Sequence, residues 1–426
     1  MQRPVPPRQP ANQQPERVQR GSGGAPRPLA PGSTIGILGG GQLGRMLGCA
    51  ARALGYRLVV LDPDPLCPAA AVADDLIVGG YDDADAALAL AAASDVVTYE
   101  LEHVSAEVVA AVAERLPVRP GLAALRATQD RLAERRVLAE VGAAAAPWRE
   151  VRDLGSLEAG GAALGYPLRL KAAIGGYDGR SQARVGGPAD LAPALEALGG
   201  RSTAPPAASP PTAARVPAFL LERELEFACE LSVVCARDLA GRTVPFPVAR
   251  NRHDEGILVE SVAPAPPPVT TAVAREAQAL AARLADALDV VGLLTVELFL
   301  LPDGSLVVNE LAPRVHNSGH WTIEACRTSQ FEQHVRAICG LSLGSPDLLV
   351  PAAMVNLLGS GPLRESRLLG LDAALADPNV HVHVYDKRRV FERRKMGHVT
   401  ALALPGEGTP EALDRAEAAL SRLRWA

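Results

Sequence analysis

From Thr34 onward the chain alternates short, wholly apolar runs with longer amphipathic segments. TIGILGG reads as a buried parallel strand, QLGRMLGCAARAL as a helix and YRLVVLD as the next strand. LIVGGY and SDVVTYE continue the series, each followed by an Ala-rich helical segment. Strands that alternate with helices predict a parallel, doubly wound sheet, and the texture places it over residues 32–125. The next segment, Ala127 to Val141, predicts one helix. YPLRLK and SQARV predict two antiparallel strands around a Gly-rich loop, and FLLERELEFACELSVVCAR predicts further strands. A helix from about Ala274 to Leu288 leads into VELFLLPDGSLVVNEL, whose two β-rich halves flank Asp303-Gly304 and predict a two-residue hairpin turn. In that register Leu301 faces Leu306, Phe299 faces Val308 and Glu297 faces Glu310. A last segment, residues 341–426, contains HVHVYDKRRVFERRKMGHVT, which predicts another hairpin. The fold class is therefore α/β (α+β overall): an N-terminal doubly wound domain, a central unit over 126–340 and a small β-rich C-terminal domain.

Two stretches fall outside this patterning. Residues 1–31 are rich in Pro, Gln and Arg and almost devoid of large apolar residues, so they predict a disordered tail. Residues 199–217 are low in complexity and predict a flexible surface insertion.

Composition narrows the class. At 426 residues the chain exceeds one ordinary core, which predicts two or three domains. A formal net charge of −5 argues against nucleic acid as a partner. The six cysteines show no CxxC pair or regular spacing, as expected of reduced thiols in a cytoplasmic protein. The N-terminus lacks an apolar signal core. The uncharged run Leu348 to Leu363 is too short to span a bilayer and holds two prolines, so no membrane role is expected.

Three stretches carry chemistry. Gly39-x-Gly41-x-x-Gly44 lies between a predicted strand and helix, with Asp62 ending the next strand. That context suits a dinucleotide, another phosphorylated ligand, or close packing alone. Lys171 ends a predicted strand before Gly175-Gly176-Tyr177-Asp178-Gly179, an arrangement suited to nucleotide phosphates although no Walker A motif is present. It also reads as a long hairpin with a solvated lysine, and Arg180 and Arg184 as surface charges. Third, Glu297 and Glu310 are set opposite each other on an apolar hairpin, where like charges roughly 5 Å apart repel. Protonation, a basic neighbour or a bound cation relieves that repulsion, and an edge hairpin would leave both in water. With Asn309 they offer hard oxygen ligands for Mg²⁺. The Lys171 loop and this hairpin together supply both halves of a Mg–ATP site. Arg314, His316, Asn317, Ser318 and His320 follow at once, a polar cluster suited to substrate anions. The Asn-Ser-Gly between His316 and His320 disfavours a helical metal pair.

GGGQLGRM, TYELEHV, KAAIGGYDGRSQ, ELSVV, NELAPRVHNSGHWTIEAC and RRKMGHVT, in this order, resemble the motifs of the N5-carboxyaminoimidazole ribonucleotide synthase family of the ATP-grasp superfamily. The resemblance runs from about Thr34 to the C-terminus. It implies a substrate-binding N-terminal domain, an ATP-grasp module and a small C-terminal domain. It also implies carboxylation of 5-aminoimidazole ribonucleotide by ATP and bicarbonate through carboxyphosphate, in purine biosynthesis, by a homodimer. By the same resemblance, Arg131 and Lys171 would contact ATP phosphates and the loop Gly176, Tyr177, Asp178, Gly179, Arg180, Ser181 and Gln182 would close over them. Glu222, Arg223, Glu224 and Leu225 would hold adenine, Glu230 the ribose, and His253 the nucleotide. Asn309 and Glu310 would meet ATP, with Glu297 and Glu310 on Mg²⁺. Glu100, Tyr177 and Lys387 match positions near the aminoimidazole. Arg314, Asn317, Ser318 and Arg394 match positions handling bicarbonate or the phosphorylated intermediate. Gly41, Gln42 and Leu43, in the Gly39 to Gly44 loop, would receive the ribotide phosphate or simply shape that pocket.

The sequence departs from the family at two points. The lid, usually GKGQ, is GRSQ here, and Ser181 in place of Gly removes conformational freedom. Val315 replaces a usual Pro. Rival readings are another ATP-grasp ligase, such as a formate-dependent ribotide transformylase or a biotin carboxylase; an NAD-dependent oxidoreductase; and an inactive ATP-binding regulator.

Overall fold

A computed structural model describes residues 27–175, 181–199 and 218–426. The N-terminal layer is a four-stranded parallel sheet of β1 (Thr34–Leu38), β2 (Arg57–Asp62), β3 (Asp75–Val78) and β4 (Val96–Tyr99), in the order β3-β2-β1-β4. Between them run α1 (Gln42–Ala53) and α2 (Ala84–Ala92), with α3 (Ala106–Ala113) after β4. The order reverses between β1 and β4, so a crevice opens at their carboxyl ends, where such sheets take ligands. Gly39 to Gly41 follow β1 and Glu100 follows β4, both at that crevice.

Where one helix was expected over Ala127 to Val141, there are two, α4 (Leu122–Gln129) and α5 (Arg131–Glu140). Asp130 breaks the run: its backbone is extended and its carboxylate caps Leu132 N–H at 2.9 Å, the competition with helix that short acidic side chains offer. Next come β5 (Trp148–Val151), α6 (Leu154–Leu164), β6 (Leu168–Ala172), β7 (Gln182–Val185), α7 (Leu191–Ala197) and β8 (Phe219–Arg223). Their strands form a separate antiparallel sheet, β5-β8-β6-β7.

The largest sheet has nine strands. It comprises β9 (Cys229–Arg237), β10 (Thr243–Pro245), β11 (Ala249–Asp254), β12 (Ile257–Ala263), β13 (Gly292–Leu300), β14 (Leu306–Ala312), β15 (Ala352–Leu358), a strand at Val380–Val384 and another at Lys395–Leu402. The last two pair antiparallel, as the expected C-terminal hairpin. The C-terminal strands are thus continuous with the sheet that bears the carboxylate hairpin. One core joins the N-terminal unit to the nine-stranded sheet: Ile35 and Leu47 share it with Phe246, Trp321 and Met354, while the β5-β8-β6-β7 sheet has a core of its own around Leu168, Leu170 and Phe219.

The last residues of the expected tail, 27–31, are tied to the fold. Leu29 packs on this core, its N–H donates to Cys339 O (2.8 Å), and Tyr56 Oη donates to its carbonyl (2.8 Å). An apolar side chain and satisfied peptide groups hold Leu29 to the fold ahead of Pro31. The rest of the expected tail, nearly all of the expected insertion over 199–217, and the lid residues Gly176, Tyr177, Asp178, Gly179 and Arg180 lie outside the described residues.

Candidate active site

The β13–β14 hairpin differs from its expected form at both ends and keeps its outcome. The turn is a three-residue loop, Pro302 to Gly304, closed by Leu301 N–H to Ser305 O (2.9 Å), with Gly304 at φ +87°. This type of loop needs a left-handed residue, which Gly supplies. It moves the pairing by one, so Phe299 faces Val307 and Leu300 faces Leu306. A bulge at Asn309 then moves it back, and Glu297 stands opposite Glu310 as expected. Bulges beside functional sites re-aim side chains in this way.

Glu297 is 8% exposed while Glu310 reaches solvent. Burial, then the charge of Glu310, pushes the Glu297 carboxyl up to about 7. His316 Nε2 lies 3.4 Å from Glu297 Oε1. Burial and the neighbouring Arg314 hold that imidazole well below its usual range, so it is neutral. Its Nδ1 accepts from Ser318 N–H, which leaves the Nε2–H tautomer facing Glu297. The hairpin therefore presents two oxygen donors whose mutual repulsion His253 and Lys395 offset only in part, a set that fits a hard divalent cation. Among the described residues no group of three or more His, Cys, Asp or Glu side chains could hold a metal; two carboxylates suit an ion that takes its other ligands from phosphate and water.

The nucleotide candidates lie on both sides of this hairpin. Arg131, the first residue of α5, donates from Nη1 to the carbonyls of Ala172 (2.8 Å) and Gly175 (3.0 Å), fixing the root of the glycine loop. Lys171 pairs with Gln182 across β6 and β7 and forms an ion pair with Glu222. Burial would raise the Glu222 carboxyl, but Lys171 and Arg135 hold it below its ordinary value. The Glu222 side chain is thus committed to cations. Arg223 N–H donates to Pro147 O, Glu224 N–H to Pro167 O, and the Glu224 carboxylate binds Arg169 and Arg184. Glu230 Oε2 accepts from His253 N–H (3.1 Å) and contacts His253 Nδ1 (2.7 Å). Both line a cleft of ≈ 370 Å³ with Arg250, Asn251 and Arg252. Ser181 adopts φ +60°, so the family departure falls where glycine is favoured.

At the N-terminal crevice the Glu100 carboxylate accepts from the N–H groups of Gly41 and Gly44 (the latter 2.5 Å), occupying the amino end of α1. A Cβ at Gly41 would sit 2.5 Å from Glu100 Oε1, so a larger residue there would push the carboxylate from its seat. Burial raises the Glu100 carboxyl against those two donors. Asp62 Oδ2 accepts from Gly40 N–H and Tyr81 Oη, both at 2.7 Å. The acid read as a possible ribose ligand of a dinucleotide therefore braces the loop instead. Gln42 opens α1, while the Leu43 side chain lies in the core.

Arg314 links the two ends. Its Nε is 2.8 Å from Glu102 Oε1, an ion pair not aligned as a hydrogen bond. Burial opposes its charge, but Glu102, Glu310 and Glu100 together raise the guanidinium above its ordinary value. Asn317 and Asn356 exchange side-chain amide bonds (3.1 and 2.7 Å), and Ser318 Oγ lies 2.8 Å from His316 Nδ1, so both residues brace the turn. Lys387 Nζ donates to Lys395 O (2.7 Å), sits 5.7 Å from the Tyr385 ring centroid and lies within the field of Glu100. Arg394 folds back over Phe391 at 5.2 Å. His320 is buried 4.7 Å from the His398 ring, away from any helical pairing with His316. The sequence reading missed Glu102, Tyr81, Glu134 and Arg135. For the last two the signal was charge on the buried Leu132–Arg135–Leu138 face of α5.

With that geometry in place, the chain matches the ribonucleotide synthetase preATP-grasp domain over residues 33–129. It matches the ATP-grasp domain over 136–331 and the phosphoribosylaminoimidazole carboxylase C-terminal domain over 352–407. It is 45% identical over 374 residues to the N5-carboxyaminoimidazole ribonucleotide synthase of Brucella melitensis, covering 88% of this chain and 97% of that protein. The chain belongs to the N5-carboxyaminoimidazole ribonucleotide synthase family. The synthase of Bacillus subtilis is 40% identical, with 88% and 93% covered. Among solved structures, an ADP complex of a synthetase of this family superposes with a TM-score of 0.81 at 39% identity, covering 92% and 97%. The Aspergillus clavatus synthase in complex with ADP and 5-aminoimidazole ribonucleotide superposes at 0.80 and 32%, covering 92% and 99%. The chain is an ATP-dependent ligase of this family, with the mixed α/β fold expected of it.

Proposed function

We propose that the enzyme carboxylates the exocyclic amine of 5-aminoimidazole ribonucleotide, using bicarbonate and ATP with Mg²⁺, as a cytoplasmic homodimer of purine biosynthesis. The observation that carries the reading is the opposed pair Glu297 and Glu310, with the Glu297 carboxyl raised by burial and by Glu310, and Glu310 in turn in the field of Arg314. Glu297 and Glu310 would hold the metal, which supplies positive charge at the triphosphate. No helix among the described residues is long and apolar enough to cross a membrane.

A bicarbonate oxygen attacks the γ-phosphorus, the bond to ADP breaks, and carboxyphosphate forms. The substrate amine then attacks the carboxyl carbon, phosphate leaves, and one proton is released overall. Charge accumulates on the transferring phosphoryl group, so the enzyme's work is positioning and electrostatic. Lys171 and Arg131 serve the phosphates, with Gly176 to Gln182 as the lid that keeps water from the intermediate. Glu230 and His253 serve the nucleoside, and the backbone of Glu222 to Leu225 the adenine. Arg314, held by Glu102, orients bicarbonate and its phosphorylated form, with Arg394 on the same anion and Asn317 and Ser318 keeping the turn in shape. Glu100, Tyr177 and Lys387 would serve the aminoimidazole, with Gly41 to Leu43 shaping its pocket. The dehydrogenase alternative loses its support because Asp62 is committed to Gly40 and Tyr81.

ADP release tests the reading. It should require aminoimidazole ribonucleotide and bicarbonate together. Release supported by formate instead indicates a transformylase, reduction of NAD an oxidoreductase, and no release at all a regulator.

A further inference from the structure

Two charged residues of α5 that no contact with substrate explains form the densest buried ion network of the site. Arg135, 2% exposed, donates from Nη1 to Glu134 Oε1 (2.8 Å) and from Nη2 to Glu222 Oε2 (3.0 Å) and to the carbonyl of Asn309 (3.0 Å). Glu134 spends its other oxygen on Leu311 N–H at 2.8 Å. β14 is an edge of the nine-stranded sheet, so Asn309 C=O and Leu311 N–H point outward from it. These outward groups bracket Glu310. One residue earlier, Val308 N–H donates to Ala144 O (2.8 Å). The bulge that turns Glu310 toward Glu297 is therefore clamped from its open side. The same guanidinium holds Glu222, which in turn pairs with Lys171 on the other sheet.

Energetics argue that the network is there for geometry. Replacing a buried ion cluster by apolar side chains is often neutral or stabilising, so such clusters are weak sources of stability. A planar fork that, besides Glu134 on its own helix, reaches one acceptor on each of two sheets fixes their relative position as no Lys could. We propose that Arg135 and Glu134 are positioning residues that set Glu310 and Lys171 in register with each other, so that one triphosphate meets both. This rests on the Mg–ATP reading of those two groups, and goes beyond it by assigning the element that aligns them.

The test uses the whole chain. In Glu134→Leu/Arg135→Met the cluster becomes apolar while Glu222 keeps Lys171, so the protein should fold. Amide exchange of Leu311, measured without metal or nucleotide, should accelerate at least about tenfold as its acceptor is lost. Glu134→Gln, which retains an acceptor oxygen, should exchange near the wild-type rate. Calorimetry should show Mg·ADP binding at least about tenfold weaker in the double variant and intermediate in Arg135→Lys, which keeps the charge without the fork. Unchanged Leu311 exchange, or wild-type Mg·ADP affinity in a folded double variant, overturns the proposal. Should the double variant fail to fold, Arg135→Lys with wild-type affinity overturns it equally. Failure of the wild-type protein itself to bind Mg·ADP would instead strike the Mg–ATP reading, and leaves the exchange experiment to judge the clamp.

Discussion

Glu297→Gln should make the free protein more stable while ending its use of Mg–ATP. In the metal-free state the Glu297 carboxyl stands near 7 against an ordinary 4.5, raised by burial and by Glu310. At 1.36 kcal/mol per unit, holding it ionised costs about 3 kcal/mol. The folded value is the raised one, so this contribution to stability is complete below pH 4.5 and is lost as the pH climbs through 7. Gln keeps the shape and removes the titration. In chelator-containing buffer the variant and wild type should therefore melt together near pH 4.5. At pH 8 the variant should be more stable by up to about 3 kcal/mol. Mg·ADP should raise the wild-type melting temperature and leave the variant's unchanged. Stabilities that run parallel across this pH range, or equal stabilisation of both proteins by Mg·ADP, would refute the reasoning that a cation quenches this pair.

Lys171→Ala should lower ADP release by roughly a thousandfold through loss of charge at the phosphates, measured by steady-state kinetics. It should also cost about 1–3 kcal/mol in denaturant unfolding, because the buried Glu222 loses one of its cations. Ser181→Gly relieves a left-handed residue at φ +60° and should gain about 1 kcal/mol for the ordered lid. Its readout is tighter nucleotide binding by calorimetry, and a weaker binding would show that the serine is the better fit. Cutting the chain after Pro31 should lower the melting temperature, since Leu29 leaves the core, whereas cutting after Pro26 spares those contacts; equal melting of the two truncations contradicts that role for Leu29.

The strands and helices of the N-terminal unit were legible because each is locally decided: β1, β2 and β4 are short, almost wholly buried runs alternating with helices, the pattern of a parallel sheet, and only the edge strand β3 is half exposed. The opposition of Glu297 and Glu310 was legible too, for a reason that local rules understate. Two departures from the simple hairpin, the loop ending in Gly304 and the bulge at Asn309, cancel each other. The bulge could not be read from the chain, because it is held by Arg135 and Glu134, 174 and 177 residues away from their partners. Separation along the chain also hid the role of Glu222: a strand Glu reads as a surface or ligand-binding residue until Lys171 and Arg135, the latter 87 residues away, close on it. Asp62 misled in the opposite direction. It stands at the position of a ribose ligand, yet its partners are Gly40 and Tyr81, and only the packing of β2 beside the glycine loop decides between them. The family motifs carried what local physics could not, since they register long-range arrangements as short strings.

The most direct test of the account follows oxygen. With bicarbonate labelled by ¹⁸O, aminoimidazole ribonucleotide and ATP, attack on the γ-phosphorus leaves one bicarbonate oxygen in each phosphate released. The account predicts that label in the phosphate, in step with ADP formed. Unlabelled phosphate accompanying full carboxylation would show that the two anions never joined, and would contradict it.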